Sequence, residues 1–153
     1  MADYIKPVVF KLGNEAFGVD INLVLGIENQ INIVNVPNAV SYVKGIINLR
    51  GQVVPVYSLK RKFNIPDDEP SRNSIIINTG DVMIALEVDE VLEISDIKEE
   101  NIVPMPVMIK TIETKYLDRV ANIDGKLVIL LDVTKLLTEE EEAGVKKLAE
   151  DMQ

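Results

Sequence analysis

Residues Val43–Phe63 read VKGIINLRGQVVPVYSLKRKF. Two short runs rich in Val and Ile flank Arg50-Gly51, and the glycine supplies the positive φ that a tight hairpin needs without a Cβ clash. Several positions in these runs lack a polar partner at alternate places, so both faces are expected to be covered by protein. Pro55 cannot donate to a strand ladder, which places it at an edge, a bulge or the gap between two lobes. Ser58 suits the N-cap of a short helix, since its hydroxyl can accept an orphan backbone N–H. Lys60-Arg61-Lys62 would then cover one turn of that helix's surface, or complement an acidic partner.

The same devices recur further along. Asn48-Leu49-Arg50-Gly51-Gln52-Val53-Val54 leads to Ser58-Leu59-Lys60, and Asn122-Ile123-Asp124-Gly125-Lys126-Leu127-Val128 leads to Asp132-Val133-Thr134. Gly51 is as far from Gly125 as Ser58 is from Asp132. Gly13-Asn14 opens a hairpin leading to Val19-Asp20, and Gly80-Asp81 opens one leading to Val88-Asp89. This pattern reads as a degenerate duplication, against the alternative of chance similarity among β-rich segments. Five short strands alone bury too little surface, so a duplicated chain predicts two similar small barrels packed together. The protein is expected to be mainly β, with short helices and a C-terminal helix over 138–153. Thr138 and Glu141 fit a capping box for that helix. Asp67-Asp68-Glu69-Pro70-Ser71 reads as a solvated loop, and Val103-Pro104-Met105-Pro106 as a second loop.

Composition narrows the chemistry. The chain has 153 residues, 47% of them hydrophobic and 27% charged, a balance typical of a folded domain. Cysteine, histidine and tryptophan are absent. That removes thiol nucleophiles, thiolate and imidazole metal ligands, and the imidazole general base. The net charge of −9 repels phosphate backbones, so no nucleic-acid partner is expected. No run approaches the ~20 apolar residues of a membrane helix, and no basic region precedes an apolar run. Insertion into a membrane is therefore not expected, and a cytoplasmic location is.

Carboxylates remain. Asp89-Glu90 ends a strand, where neighbours point to opposite faces and cannot easily share a substrate; a solvated hairpin end is the simpler reading. Asp67-Asp68-Glu69 lacks the spacing and glycine of a calcium loop. No nucleophile elbow, phosphate loop or dinucleotide pattern occurs. No catalytic, cofactor or metal site is expected. The enzymatic alternative is a carboxylate-dependent hydrolase using Asp89, Glu90 or Asp124.

The stretch Val43–Phe63 closely resembles the signature of the CheW-like domain family of bacterial chemotaxis. Phe10-Lys11-Leu12-Gly13 with Phe17-Gly18-Val19-Asp20-Ile21 resembles that family's opening hairpin. Val36-Pro37 before Val43, Val88-Asp89-Glu90-Val91, and Asp124–Asp132 extend the likeness over nearly the whole chain. The resemblance implies a single CheW-like domain over 1–153, with approximate lobes 8–66 and 73–137 and the chain crossing between them. It implies two SH3-like five-stranded β-barrels packed on a shared hydrophobic core. It further implies a non-enzymatic adaptor that couples chemoreceptors to the histidine kinase CheA. Such a protein binds the receptor's cytoplasmic tip in a groove between lobes and the kinase's regulatory domain end-on, in receptor arrays at the inner membrane. At 153 residues the chain is expected to be the stand-alone form and not a relative that carries receiver or kinase domains.

Carried over position by position, Arg50 within Asn48-Leu49-Arg50 matches an arginine associated with signalling contacts. Without the resemblance, it is an arginine at a hairpin tip, solvated or offering a planar fork to a carboxylate. Val24, Ile27, Val43, Ile47 and Leu49 fall where the family forms its receptor groove. Groove lining and core packing demand the same residue types there. Where relatives commonly have Val-x-Glu-Ile, this chain has Val24-Leu25-Gly26-Ile27, with Glu28 one place beyond. The acid linked to partner binding is missing, and Glu28 is its candidate replacement, displaced by roughly 7 Å along the strand.

Overall fold

A computed structural model describes residues 4–29, 32–37, 39–66, 73–80, 82–106, 108 and 114–136. The expected acidic loop at 67–71 and the expected C-terminal helix at 138–153 lie outside the described residues. Among the described residues thirteen strands follow one another: β1 (Tyr4–Ile5), β2 (Pro7–Leu12), β3 (Glu15–Asp20), β4 (Val24–Asn29), β5 (Val43–Leu49), β6 (Gln52–Ser58), β7 (Asn73–Asn78), β8 (Met83–Val88), β9 (Glu90–Ile94), β10 (Ile97–Lys98), β11 (Ile102–Pro104), β12 (Leu117–Ile123) and β13 (Lys126–Leu131). One helical turn, α1 (Leu59–Lys62), follows β6. Val103 and Pro104, expected in a loop, instead form the edge strand β11 against β12. An edge is where proline's missing N–H can face away from the ladder.

The strands build a six-stranded sheet, β11-β12-β13-β3-β2-β9, and a five-stranded sheet, β4-β7-β8-β6-β5, with β1 and β10 paired apart. Among the described residues neither ladder closes into a ring. The two sheets repeat one plan. A hairpin (β5-β6 or β12-β13) lays its second strand parallel to β8 or β3. That strand is the second of another hairpin (β7-β8 or β2-β3), whose first strand then pairs with β4 or β9. The strand after each of these last hairpins leaves for the opposite sheet: β3 belongs to the six-stranded sheet and β4 to the five-stranded, β8 to the five-stranded and β9 to the six-stranded. Each linear half, 8–66 and 73–137, consequently contributes to both sheets.

Local chemistry explains the repeat. At one hairpin tip Arg50 and Gly51 have φ of 52° and 88°, and at its counterpart Asp124 and Gly125 have 52° and 85°. Asn48 Oδ1 accepts from the Gly51 amide at 2.9 Å, and Asn122 Oδ1 from the Gly125 amide at 2.8 Å. Ser58 caps α1 by accepting from the Arg61 amide, and Asp132 caps a 3-10 turn by accepting from the Thr134 amide. Pro55 pairs with Ile46, whose own N–H and C=O bond Val34 on the other side of β5. No bond is asked of proline there, and the β6–β8 register begins only at Val56.

Strand alternation divides the apolar side chains between three layers. Val8, Phe10 and Leu12 of β2 meet Ile75 and Ile77 of β7 and Ile84, Leu86 and Val88 of β8 in a core shared by both sheets. Val9 turns to a second cluster with Ala121, Val128 and Leu130. Ile76 and Ala85 turn to a third with Ile47, Val54 and Val56. Both faces of each central strand are buried, hence runs such as Ile75-Ile76-Ile77 without polar alternates. Phe10, Phe17, Phe63 and Tyr116 form a chain of ring contacts through the shared core, with centroids 6.1, 5.5 and 5.3 Å apart. Tyr57 lies in the same core, donates to the Leu136 carbonyl at 3.3 Å, and burial pushes its phenol well above the usual range.

Two substitutions test this packing by urea denaturation. Phe10→Ala removes a fully buried ring between the sheets and is expected to cost about 3–5 kcal/mol. Gly45→Ala would place a Cβ 2.2 Å from the Val34 carbonyl oxygen, so β5 and the Val34 segment must separate, at about 1–3 kcal/mol.

Candidate functional site

The β5–β6 turn lifts Arg50 clear of the sheet. Its left-handed φ of 52° is held by the Asn48–Gly51 hydrogen bond and by the ladders on either side. The Arg50 side chain is 82% exposed, and its Nη2 lies 3.5 Å from Oε1 of Glu28 on β4. A pair this exposed contributes roughly 0–1 kcal/mol, so it orients the guanidinium more than it stabilises the fold.

Glu28 reaches Arg50 because β4 carries a bulge. Val24 pairs with Ile77, the register then shifts, and Gly26, Ile27 and Glu28 pair with Ile76, Ile75 and Ser74. Partners across a ladder share a face. Gly26 and Glu28 therefore lie on the face that carries Ile76, and Ile27 lies on the opposite face with Ile75. The displacement of two residues from Gly26 to Glu28 keeps the acid on one face, where it can meet Arg50.

A cleft of about 190 Å³ opens at this end of the five-stranded sheet. Ile76, Met83 and Leu49 line its floor, with Leu25, Glu28 and Arg50 at its margin. Of the residues singled out in the sequence, Glu28, Leu49 and Arg50 gather here, and Asn48 holds the turn. Val24 and Val43 pack at the border of the shared core on the other face of the sheet, where Ile27 is left 39% exposed. Ile47 is buried in the five-stranded sheet's own core beside Val54. The set thus divides between two faces of one sheet.

Sequence reading passed over an exposed pair on each lobe. Val91-Leu92-Glu93-Ile94 of β9 repeats Val24-Leu25-Gly26-Ile27 of β4. Val91 pairs with Phe10, the register shifts, and Glu93 and Ile94 pair with Val9 and Val8. Each strand is the edge of its sheet, and Leu25, Ile27, Leu92 and Ile94 all stand large and exposed. The internal match at three of four positions was the available signal.

The carboxylates have structural employment. Asp89, expected as a solvated hairpin end, has a side chain only 16% exposed. It accepts from the Gly13 amide at 2.7 Å and lies 2.6 Å from Lys60 Nζ. Lys60, expected on a helix surface, is only 3% exposed at its side chain. Arg61 takes the solvent side of the turn and Lys60 the buried side: Lys60 follows β6 of one sheet, Gly13 joins β2 to β3 of the other, and Asp89 stands at the crossing from β8 to β9. Asp124 occupies a left-handed turn position, and Glu90 pairs across the ladder with Lys11. Among the described residues no group of three acids is placed to hold a metal ion, and no helix is long and apolar enough to cross a membrane.

The family model described as the CheW-like domain matches residues 6–141. The chemotaxis protein CheW of Klebsiella aerogenes is 33% identical over 144 residues, covering 93% of this chain and 87% of that protein. The chemotaxis protein CheW of Thermotoga maritima is 32% identical, covering 91% and 93%. The crystal structure of the scaffolding protein TtCheW from Thermoanaerobacter tengcongensis superposes with a TM-score of 0.82 at 33% identity, covering 90% of this chain and 97% of that one. A stretch amounting to 15% of the chemotaxis protein CheA of Borreliella burgdorferi is 29% identical over 135 residues.

Removing one member of a buried pair strands the other charge, at about 3–5 kcal/mol. Lys60→Met is therefore expected to lower unfolding stability by about that amount, measured by urea titration, because Asp89 keeps the Gly13 amide but loses its cation.

Proposed function

Because this chain belongs to the CheW-like domain family, we propose that it is a non-enzymatic adaptor that couples chemoreceptors to the histidine kinase CheA. The observation that carries this reading is the end of the five-stranded sheet. There a hairpin presents Arg50 to solvent beside a partly apolar cleft, while Asp89 is held in an ion pair and Asp124 in a turn. Such a surface has shape and charge to recognise a protein.

The likeness of part of CheA to this chain supports a pairing in which lobes of similar build pack end to end. Arg50 then faces a carboxylate on the kinase's regulatory domain, for which its planar fork is suited. The exposed margins of β4, with Ile27 beside the shared core, supply an apolar seat for an amphipathic receptor hairpin. The whole chain acts as one CheW-like unit, held in the cytoplasm at receptor arrays without entering the membrane.

Calorimetric titration of this protein with the CheA regulatory domain, and separately with a receptor cytoplasmic hairpin fragment, tests the proposal. Binding to both is expected at tens of micromolar or tighter, and binding to neither defeats it. Arg50→Glu is expected to weaken one of these interactions by about tenfold or more, roughly 1.4 kcal/mol, with an unchanged thermal melt. A large fall in melting temperature would make Arg50 a structural residue instead.

A further inference from the structure

Three connections meet where α1 ends. Tyr42 stands just before β5, Lys62 closes the turn after β6, and Tyr116 stands just before β12 of the other sheet. The Lys62 ammonium lies over the Tyr42 ring, 4.5 Å from its centroid, and 5.9 Å from that of Tyr116. Both rings are themselves held, Tyr42 against Tyr57 and Tyr116 against Phe63, with centroids 4.9 and 5.3 Å apart. Lys6, Lys44, Lys60 and Lys135 each contact a carboxylate. Among the described residues no acid does so for Lys62. A ring face returns only about 0.5–1 kcal/mol to a cation at an exposed site. Burial accordingly pushes the Lys62 amine below the ordinary lysine range, which leaves more of it in the neutral form that attacks electrophiles.

We propose that Lys62 is a site of acyl transfer, where an amine positioned by two tyrosine rings takes the acyl group of a small acyl phosphate. Lys62 stays partly exposed, so a small donor reaches it, and the exposed Arg61 beside it attracts an anionic one in a chain of net charge −9. The ammonium first loses a proton to solvent. Neutral Nζ then attacks the acyl carbonyl carbon, and a C–N bond forms. The C–O bond to phosphate breaks, and phosphate leaves with the electron pair and, through water, the proton that the nitrogen sheds. Nothing is oxidised or reduced. The amide carries no charge, so the electrostatic attraction to both rings is lost at a junction of the two sheets. The inference does not depend on which partner the adaptor binds.

The test incubates the whole protein with acetyl phosphate at about pH 8, below the ordinary lysine pKa of about 10.4, and follows each lysine by peptide mass spectrometry. Lys62 is expected to react at least about threefold faster than the exposed Lys98 and Lys126, since each unit of lowered pKa enlarges the neutral fraction about tenfold. Its rate should also level off at a lower pH than theirs. A rate equal to theirs or slower, or a coincident pH profile, overturns the proposal. Tyr42→Ala removes the nearer ring and is expected to return Lys62 to the rate of Lys126. A lead that survives this change overturns the proposal as well, because the rings would then play no part. Should Tyr42→Ala melt early, the pH profile of the unmodified protein alone decides.

Discussion

Twice the chain leaves the sheet it is building and commits its next strand to the other sheet. After building β2 and β3 in the six-stranded sheet it adds β4 to the five-stranded one, and after β7 and β8 in the five-stranded sheet it adds β9 to the six-stranded one. Pulling the lobes apart would break the β4–β7 and β2–β9 ladders and expose Phe10, Leu12, Ile75 and Leu86 together. Small lobes bury a limited fraction of their surface, so neither gains much by folding alone. Exchange turns two marginal sheets into one body with a common core. The Lys60–Asp89–Gly13 connection sits on one of the crossings and fixes it with charge as well as packing.

A common core leaves the ends of the lobes free to be surfaces. The hairpin tips carry side chains the interior does not need, and the edge strands carry the bulges that end regular pairing. At the end of the five-stranded sheet these devices combine. The turn aims Arg50, the bulge sets Glu28 on the same side, and Gly26 withholds a side chain between them and Ile76. An adaptor needs such features at fixed distances, since it transmits position, not product. The strand plan that joins the sheets thus also sets where Arg50 and Glu28 stand.

Much of this was legible in the residues. Asn48 with Gly51 and Asn122 with Gly125 mark hairpins through local hydrogen bonds, and Ser58 and Asp132 mark helical turns through capping, so both could be read within a few positions. The duplication followed from them. What could not be read depends on distant partners. The parallel pairing of β13 with β3 and of β6 with β8 brings together segments with no shared local signal. Lys60 looks like its neighbours Arg61 and Lys62, and only the approach of Asp89 and Gly13 buries it. Val24 and Ile47 are apolar for the same reason in a strand, yet they belong to opposite faces of one sheet. The face on which Glu28 lies could not be read locally either, because it depends on the bulge in β4.

Strand exchange can be tested directly by native-state amide hydrogen exchange. If the two sheets share one core and each other's strands, the protected amides of β2 and β7 should open with the same free energy and the same dependence on denaturant, because no route unfolds one sheet alone. Amides of one sheet exchanging several kcal/mol more easily than those of the other would mean that the lobes are separable, and would contradict the account.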